Sequence, residues 1–133
     1  TVVALPGISD ATVALLAQKG GDVLCIEPIP GPEESLVARV NAAIRLADPR
    51  PPLAIVAAGD SASWLPSVAL AQSSAHRLVL GYLLIDPVLP PVGDRWPDAP
   101  VSVLSSDDWV CTQTRLRGWE FLEDLGSWTV PTA

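Results

Sequence analysis

The strongest constraint on the fold is an alternation of two patterns. Short runs rich in Val, Ile and Leu are separated by segments with helical spacing, and strands that alternate with helices build a parallel sheet covered by helices. Val2 to Leu5 is the first run, stopped by Pro6-Gly7. Ser9 or Asp10 caps a helix through Thr12, Val13, Leu15 and Leu16, which ends at Gly20-Gly21. Val23 to Ile26 is a second strand, and the Pro-rich stretch from Glu27 to Pro32 is an irregular crossing. From Glu33, the spacing of Leu36, Val37, Val40, Ala43, Ile44 and Ala47 gives one apolar helical face. Leu53 to Ala58, Leu78 to Ile85, Val101 to Leu104 and Trp119 to Leu122 read as further strands, with a helix from Asp107 or Asp108 through Arg117. Residues 90–100 are a loop by composition. The 133 residues suffice for one domain and not for two. The expected fold class is α/β: a three-layer sandwich with a mostly parallel sheet of about six strands, as one domain over residues 1–133.

Charge narrows the partners. The chain carries 15 acidic against 8 basic residues, a formal net charge of -7, with the arginines scattered. Nucleic acid and anionic lipid are not expected partners, because counterion release needs clustered Lys and Arg. Apolar runs stay well short of the roughly 20 residues that cross a bilayer, so the expectation is a soluble, cytoplasmic protein. Cys25 and Cys111 lack metal-ligand spacing, and Cys25 sits in an apolar strand pattern, which predicts a reduced, buried thiol.

The stretch with most chemical content is Leu53 to Ala71. A buried strand leads into Gly59-Asp60-Ser61-Ala62-Ser63 and then into an apolar helix with Trp64, Leu65, Val68 and Ala69. A serine on a sharp strand-to-helix turn resembles the nucleophile elbow of the α/β-hydrolase superfamily, G-x-S-x-G, with Ser63 in place of the last glycine. A plain strand-helix turn with Ser61 or Asp60 as cap gives the same residues. The serine turn after the third strand, the strand ending at Asp86 before a Pro-rich loop, and 95–100 leading into Val101 to Leu104 are similar to the core of small bacterial α/β-hydrolases without their first antiparallel strands.

That resemblance implies a site at the C-terminal ends of the strands. Ser61 would be the nucleophile, and the backbone N–H groups of Ala62 and Ile8 would form the oxyanion hole. The acid would be Asp107 or Asp108, with Asp86 as a second position. A helical cap inserted after the strand ending at Asp86 in many such enzymes is reduced here to a loop, which leaves the site open. The base is missing. Ser127 stands about where the family's His would be, and the chain's one His, His76, precedes the strand at Leu78, near the opposite edge of the sheet from Ser61.

Three functions fit this pattern. The first is non-hydrolytic, carboxylate-assisted chemistry of specialised metabolism, a cyclisation, elimination or isomerisation of a small apolar metabolite. It would use Asp60, Asp86 or Asp107 beside Trp64, Trp96, Trp109 and Glu27 as substrate-binding groups. The second is a weak esterase working through Ser61 without a His. The third is a catalytically inert binding protein whose Trp residues contact a partner. No cofactor is expected: Pro6-Gly7-Ile8-Ser9-Asp10-Ala11 has one glycine where a dinucleotide loop needs three, and Asp10 would repel a pyrophosphate. A small-molecule substrate is the expected partner, and a homo-oligomer is compatible with the sequence.

Overall fold

The computed structural model describes residues 1–27, 30–91, 93 and 96–131. Pro28, Ile29, Val92, Asp94 and Arg95, in stretches expected to be loops, lie outside the described residues, as do Thr132 and Ala133.

Six strands form one all-parallel sheet: β1 (Val2–Ala4), β2 (Val23–Cys25), β3 (Leu53–Ala58), β4 (Val79–Ile85), β5 (Val101–Leu104) and β6 (Glu120–Leu122). Their order across the sheet is β2-β1-β3-β4-β5-β6. The helices are α1 (Asp10–Gln18), α2 (Leu36–Ala47), α3 (Leu65–Ser74) and α4 (Asp108–Leu116). Side chains alternate along each strand, so the sheet feeds two cores. Val3, Leu53, Ile55, Tyr82, Leu84 and Val103 face α2, α3 and α4, whose Val40, Ile44, Val68 and Val110 meet them. On the other face, Val2, Ala54, Val56 and Leu83 pack with Leu16 of α1 and with Trp128 of the C-terminal segment. The result is a three-layer α/β sandwich. β3 and β4 are buried on both faces, which is why they read as continuous apolar runs.

The crossovers explain the strand order. Parallel connections are right-handed, so α1, on one face, carries the chain outward from β1 to β2, and α2, on the other, returns it past β1 to β3. From β3 the chain moves steadily toward β6. The one crossover without a helix among the described residues is β4 to β5, residues 86–100. Here Trp96 does the work of a helix face. It is 3% exposed and packs edge-on against Tyr82 of β4 (centroids 5.5 Å apart) and Trp119 (5.6 Å). Asp98, in the same connection, accepts a 2.6 Å hydrogen bond from the Tyr82 hydroxyl.

The C-terminal segment is held down by the chain's only lysine. Lys19, at the end of α1, donates to the carbonyls of Trp128 (2.7 Å) and Gly126 (3.4 Å). Gly81 of β4 makes room for it: a Cβ there would lie 2.8 Å from Pro131.

One expectation is corrected. Cys25 is free but exposed, as the last residue of β2, and Cys111 is free and half-buried. An apolar strand pattern does not tell a central strand from an edge strand, and β2 is an edge.

Candidate functional site

In a doubly wound sheet, the loops leaving two neighbouring strands in opposite directions open a crevice at the strands' C-terminal ends. Here that place lies between β1 and β3. The chain leaves β1 toward the face of α1, and it leaves β3 toward the face of α3. A cleft of about 390 Å3 occupies the gap, lined by Gly7, Ile8, Ser9, Thr12, Gly59 and Asp86 with Ala58 and Ile85. The two loops nearly touch at its base, where a Cβ on Gly7 (φ 102°) would stand 3.5 Å from the Ala58 carbonyl.

Each wall is fixed locally. Ser9 caps α1: its Oγ accepts from the Thr12 N–H (3.2 Å) and donates to the Thr12 hydroxyl (2.9 Å). After β3, Gly59 turns the chain with φ 57°, and residues 59–64 form a 3-10 helix leading into α3. After β4, Asp86 turns the chain with φ 42°, a left-handed conformation unusual for a residue with a side chain. The Asp86 N–H donates to the Leu104 carbonyl (2.8 Å), and the Val88 N–H donates to the Gly59 carbonyl (3.0 Å), which ties the two turns together.

The sequence-derived residues divide into two groups. Ile8 and Asp86 line the cleft. Ser61 is close in sequence but turned inward. It is 1% exposed, and its Oγ accepts from the Ala58 N–H (2.9 Å) and donates to the Ala58 carbonyl (2.8 Å). Ala62 beside it is fully buried. Asp60 is exposed on the same turn, with its carbonyl accepting from Ser63 (2.6 Å).

Asp107 caps α4 by accepting from the N–H groups of Trp109 (2.8 Å) and Val110 (3.1 Å), and Asp108 is exposed in the first turn. Glu27 is exposed beyond β2. The tryptophans do not form one wall: Trp96 is in the core against Tyr82, Trp109 is 61% exposed on α4, and Trp64 is half-buried against the α3 side of the core. Ser127 bonds Asp124 through its N–H (2.9 Å) and Oγ (3.0 Å). His76 is exposed at the N-terminal end of β4.

Sequence reasoning missed Gly7, Ser9, Thr12 and Gly59 as lining residues. Their shared signal is position, in the loops after the first and third strands, rather than any reactive group.

Electrostatics favour one class of ligand at this rim. Helices run antiparallel to the strands, so their N-termini gather at the strands' C-terminal ends, where acidic residues complement the helix dipole. Asp10, Glu33, Asp60 and Asp108 occupy first helical turns there, and Asp86 and Glu123 follow β4 and β6. The cations Arg45 and Arg115 stand in last turns, with Lys19 and Arg77, at the opposite rim. The carboxylates at this rim disfavour an anionic ligand relative to a neutral or cationic one.

A larger groove of about 650 Å3 lies elsewhere, lined by Gly81, Ser102, Glu120, Trp128 and Pro131 at the N-terminal ends of β4 to β6. Its one carboxylate, on Glu120, accepts from Ser102 (3.1 Å). It is at the end of the sheet where helix C-termini point, away from the crossover reversal. Among the described residues no group of His, Cys, Asp and Glu could hold a metal ion, and no helix is long and apolar enough to cross a membrane.

No protein family's sequence profile matches the chain, and no curated protein matches it either. The assignment of the site therefore stands on its geometry.

Proposed function

We propose that the cleft between β1 and β3 binds a small neutral or cationic metabolite and that the chemistry there is non-hydrolytic, carried by the Asp86 carboxylate. The observation that carries this reading is the contrast between Asp86 and Ser61. Among the described residues Asp86 is the one ionisable residue lining the cleft, while the Ser61 hydroxyl is buried and bonded at both its donor and acceptor to Ala58. A serine nucleophile also needs an adjacent base. Both bonds of the Ser61 hydroxyl go to the Ala58 backbone rather than to a base, and the residue that takes the left-handed turn at the end of β3 is Gly59, which has no side chain.

The parallel strand order is compatible with the likeness to the α/β-hydrolase superfamily, whereas the turn after β3 departs from it, since Ser61 is buried there. The chemistry we assign is the kind a lone carboxylate performs. Asp86 takes a proton from carbon or oxygen of the bound molecule and returns it elsewhere, giving cyclisation, elimination or isomerisation without an acyl intermediate. Gly7, Ile8 and Ser9 also line the cleft and would hold an apolar part of the substrate.

A metabolite panel read by thermal shift, followed by mass spectrometry of each stabilising compound, tests this directly. Turnover of a hit is expected to fall about a hundredfold or more in Asp86→Asn, the usual range for losing a positioned acid-base group. It is expected to persist in Ser61→Ala, and a fluorophosphonate probe is expected to leave the chain unlabelled. Labelling at Ser61, with ester hydrolysis lost in Ser61→Ala, would overturn the proposal in favour of the esterase.

A further inference from the structure

A threonine inside a helix commonly spends its hydroxyl proton on the carbonyl one turn back. Thr112 and Thr114 of α4 do so, donating to Asp108 (2.9 Å) and Val110 (2.7 Å). Thr12 of α1 does not, among the described residues. It is bonded to Ser9 instead, whose Oγ accepts from the Thr12 N–H (3.2 Å) and donates to the Thr12 hydroxyl (2.9 Å). Two hydroxyl protons thus serve one bond between the two side chains. Whichever hydroxyl donates within the pair, the other keeps a proton that no described residue accepts.

Both residues line the cleft, and so does Asp86, whose exposed carboxylate accepts no hydrogen bond from a described residue. The cleft therefore displays a donor without an acceptor and an acceptor without a donor. A ligand that satisfies both must bring an oxygen to the Ser9–Thr12 pair and a proton to Asp86. An ammonium group brings only donors, so it suits Asp86 and leaves the hydroxyl unanswered. A carboxylate brings only acceptors, and the acidic rim disfavours it.

We propose that the substrate is a neutral, enolisable carbonyl compound, its oxygen held by the Ser9–Thr12 pair while Asp86 moves a proton on the adjacent carbon. This rests on the assignment of acid-base chemistry to Asp86. The carboxylate takes the proton, the C–H electron pair becomes a C=C bond, and the carbonyl π pair moves onto oxygen. That oxygen gains negative charge only during the reaction, and the spare hydroxyl proton stabilises it there. Return of the proton from Asp86, to the same carbon or to a conjugated one, restores both the carbonyl and the carboxylate. No co-reactant is consumed.

Deuterium exchange in D2O is the test, because Asp86 is exposed and the proton it carries is replaced from solvent. The full chain is incubated with cyclic and acyclic ketones, aldehydes and unsaturated ketones, and deuterium at carbon is read by NMR. At least one compound should exchange faster than in buffer, and Asp86→Asn should slow it about a hundredfold or more. Ser9→Gly/Thr12→Val should lower kcat by roughly a hundredfold with a smaller change in KM. Glycine still serves as an N-cap, and circular dichroism checks that the helix is kept. Each single variant should lose less than the pair, since the remaining hydroxyl recovers a free proton, and Thr12→Ser should retain the activity. No exchange with any of these compounds would overturn the proposal. Exchange that needs Asp86 and is indifferent to Ser9→Gly/Thr12→Val would also overturn it while leaving the role of Asp86 standing. Exchange that persists in Asp86→Asn would remove both.

Discussion

The two connections that flank β4 solve the same problem in opposite ways. From β3 to β4 the chain makes a glycine turn, a 3-10 helix and α3, which buries Leu65, Val68, Ala69 and Gln72. From β4 to β5 it makes an aspartate turn and an irregular stretch that buries one indole, Trp96. In the first, the Ser61 hydroxyl is satisfied within the turn, by the N–H and carbonyl of Ala58. In the second, the residue in the left-handed conformation is Asp86, which carries a carboxylate and lines the cleft. What a strand end displays thus depends on which residue takes the positive-φ position, and not on where a serine stands in a short motif.

The largest way to break this comparison is Trp96→Ala. If one indole replaces a helix face, its loss should cost about 3–5 kcal/mol, the range for truncating a large core aromatic, and denaturant unfolding would read it. A cost under about 1 kcal/mol would mean that the connection is held by something else.

Ser61→Ala comes next. It removes both part-buried bonds between the hydroxyl and the Ala58 backbone, which should cost about 1–3 kcal/mol. A mutant of unchanged stability would mean that the hydroxyl is free to do something other than hold the turn.

Smaller again is Tyr82→Phe, at about 1 kcal/mol, because Asp98 is exposed and water can replace it. Its signature is in pH. Burial, together with the bond to Asp98 and its charge, pushes the Tyr82 phenol well above its ordinary value of 10.0. The folded state therefore keeps a proton that the unfolded chain releases at about pH 10, so the wild type should lose stability as pH rises past that point. Tyr82→Phe should flatten that alkaline loss in thermal melts taken from pH 8 to 11.

Most of the architecture was legible because it follows from periodicity. The strand expected over Leu78 to Ile85 is Val79–Ile85, the helix from Asp107 or Asp108 is Asp108–Leu116, and the parallel sheet of six strands is present. Turn conformation was not legible. Gly59-Asp60-Ser61 is compatible both with a tight elbow that exposes the serine and with a 3-10 helix that buries it, and the choice depends on tertiary packing under Ala62 and Leu65. Trp96 was hidden for a related reason: its neighbours, Pro97, Asp98 and Pro100, have loop composition, and composition does not say which side chain of a loop anchors it. The cleft itself belongs to the strand order, a long-range property that no local window contains.

A pair of variants at the two turns is the sharpest test of the comparison, since it predicts opposite signs at equivalent places. Gly59 and Asp86 both sit at strand ends with positive φ. A Cβ on Gly59 meets nothing within 4 Å, so Gly59→Ala introduces no clash and should cost only the left-handed strain of an L-residue, about 1–2 kcal/mol. Asp86 already bears that strain, reduced because Asp tolerates the region better than most residues. Asp86→Gly should therefore stabilise the fold by up to about 1 kcal/mol while abolishing whatever chemistry the carboxylate performs. A stabilised, inactive Asp86→Gly is the pattern of a residue kept for function at the expense of stability. If Asp86→Gly instead destabilises, the carboxylate is holding the turn together, and its place in the cleft is structural.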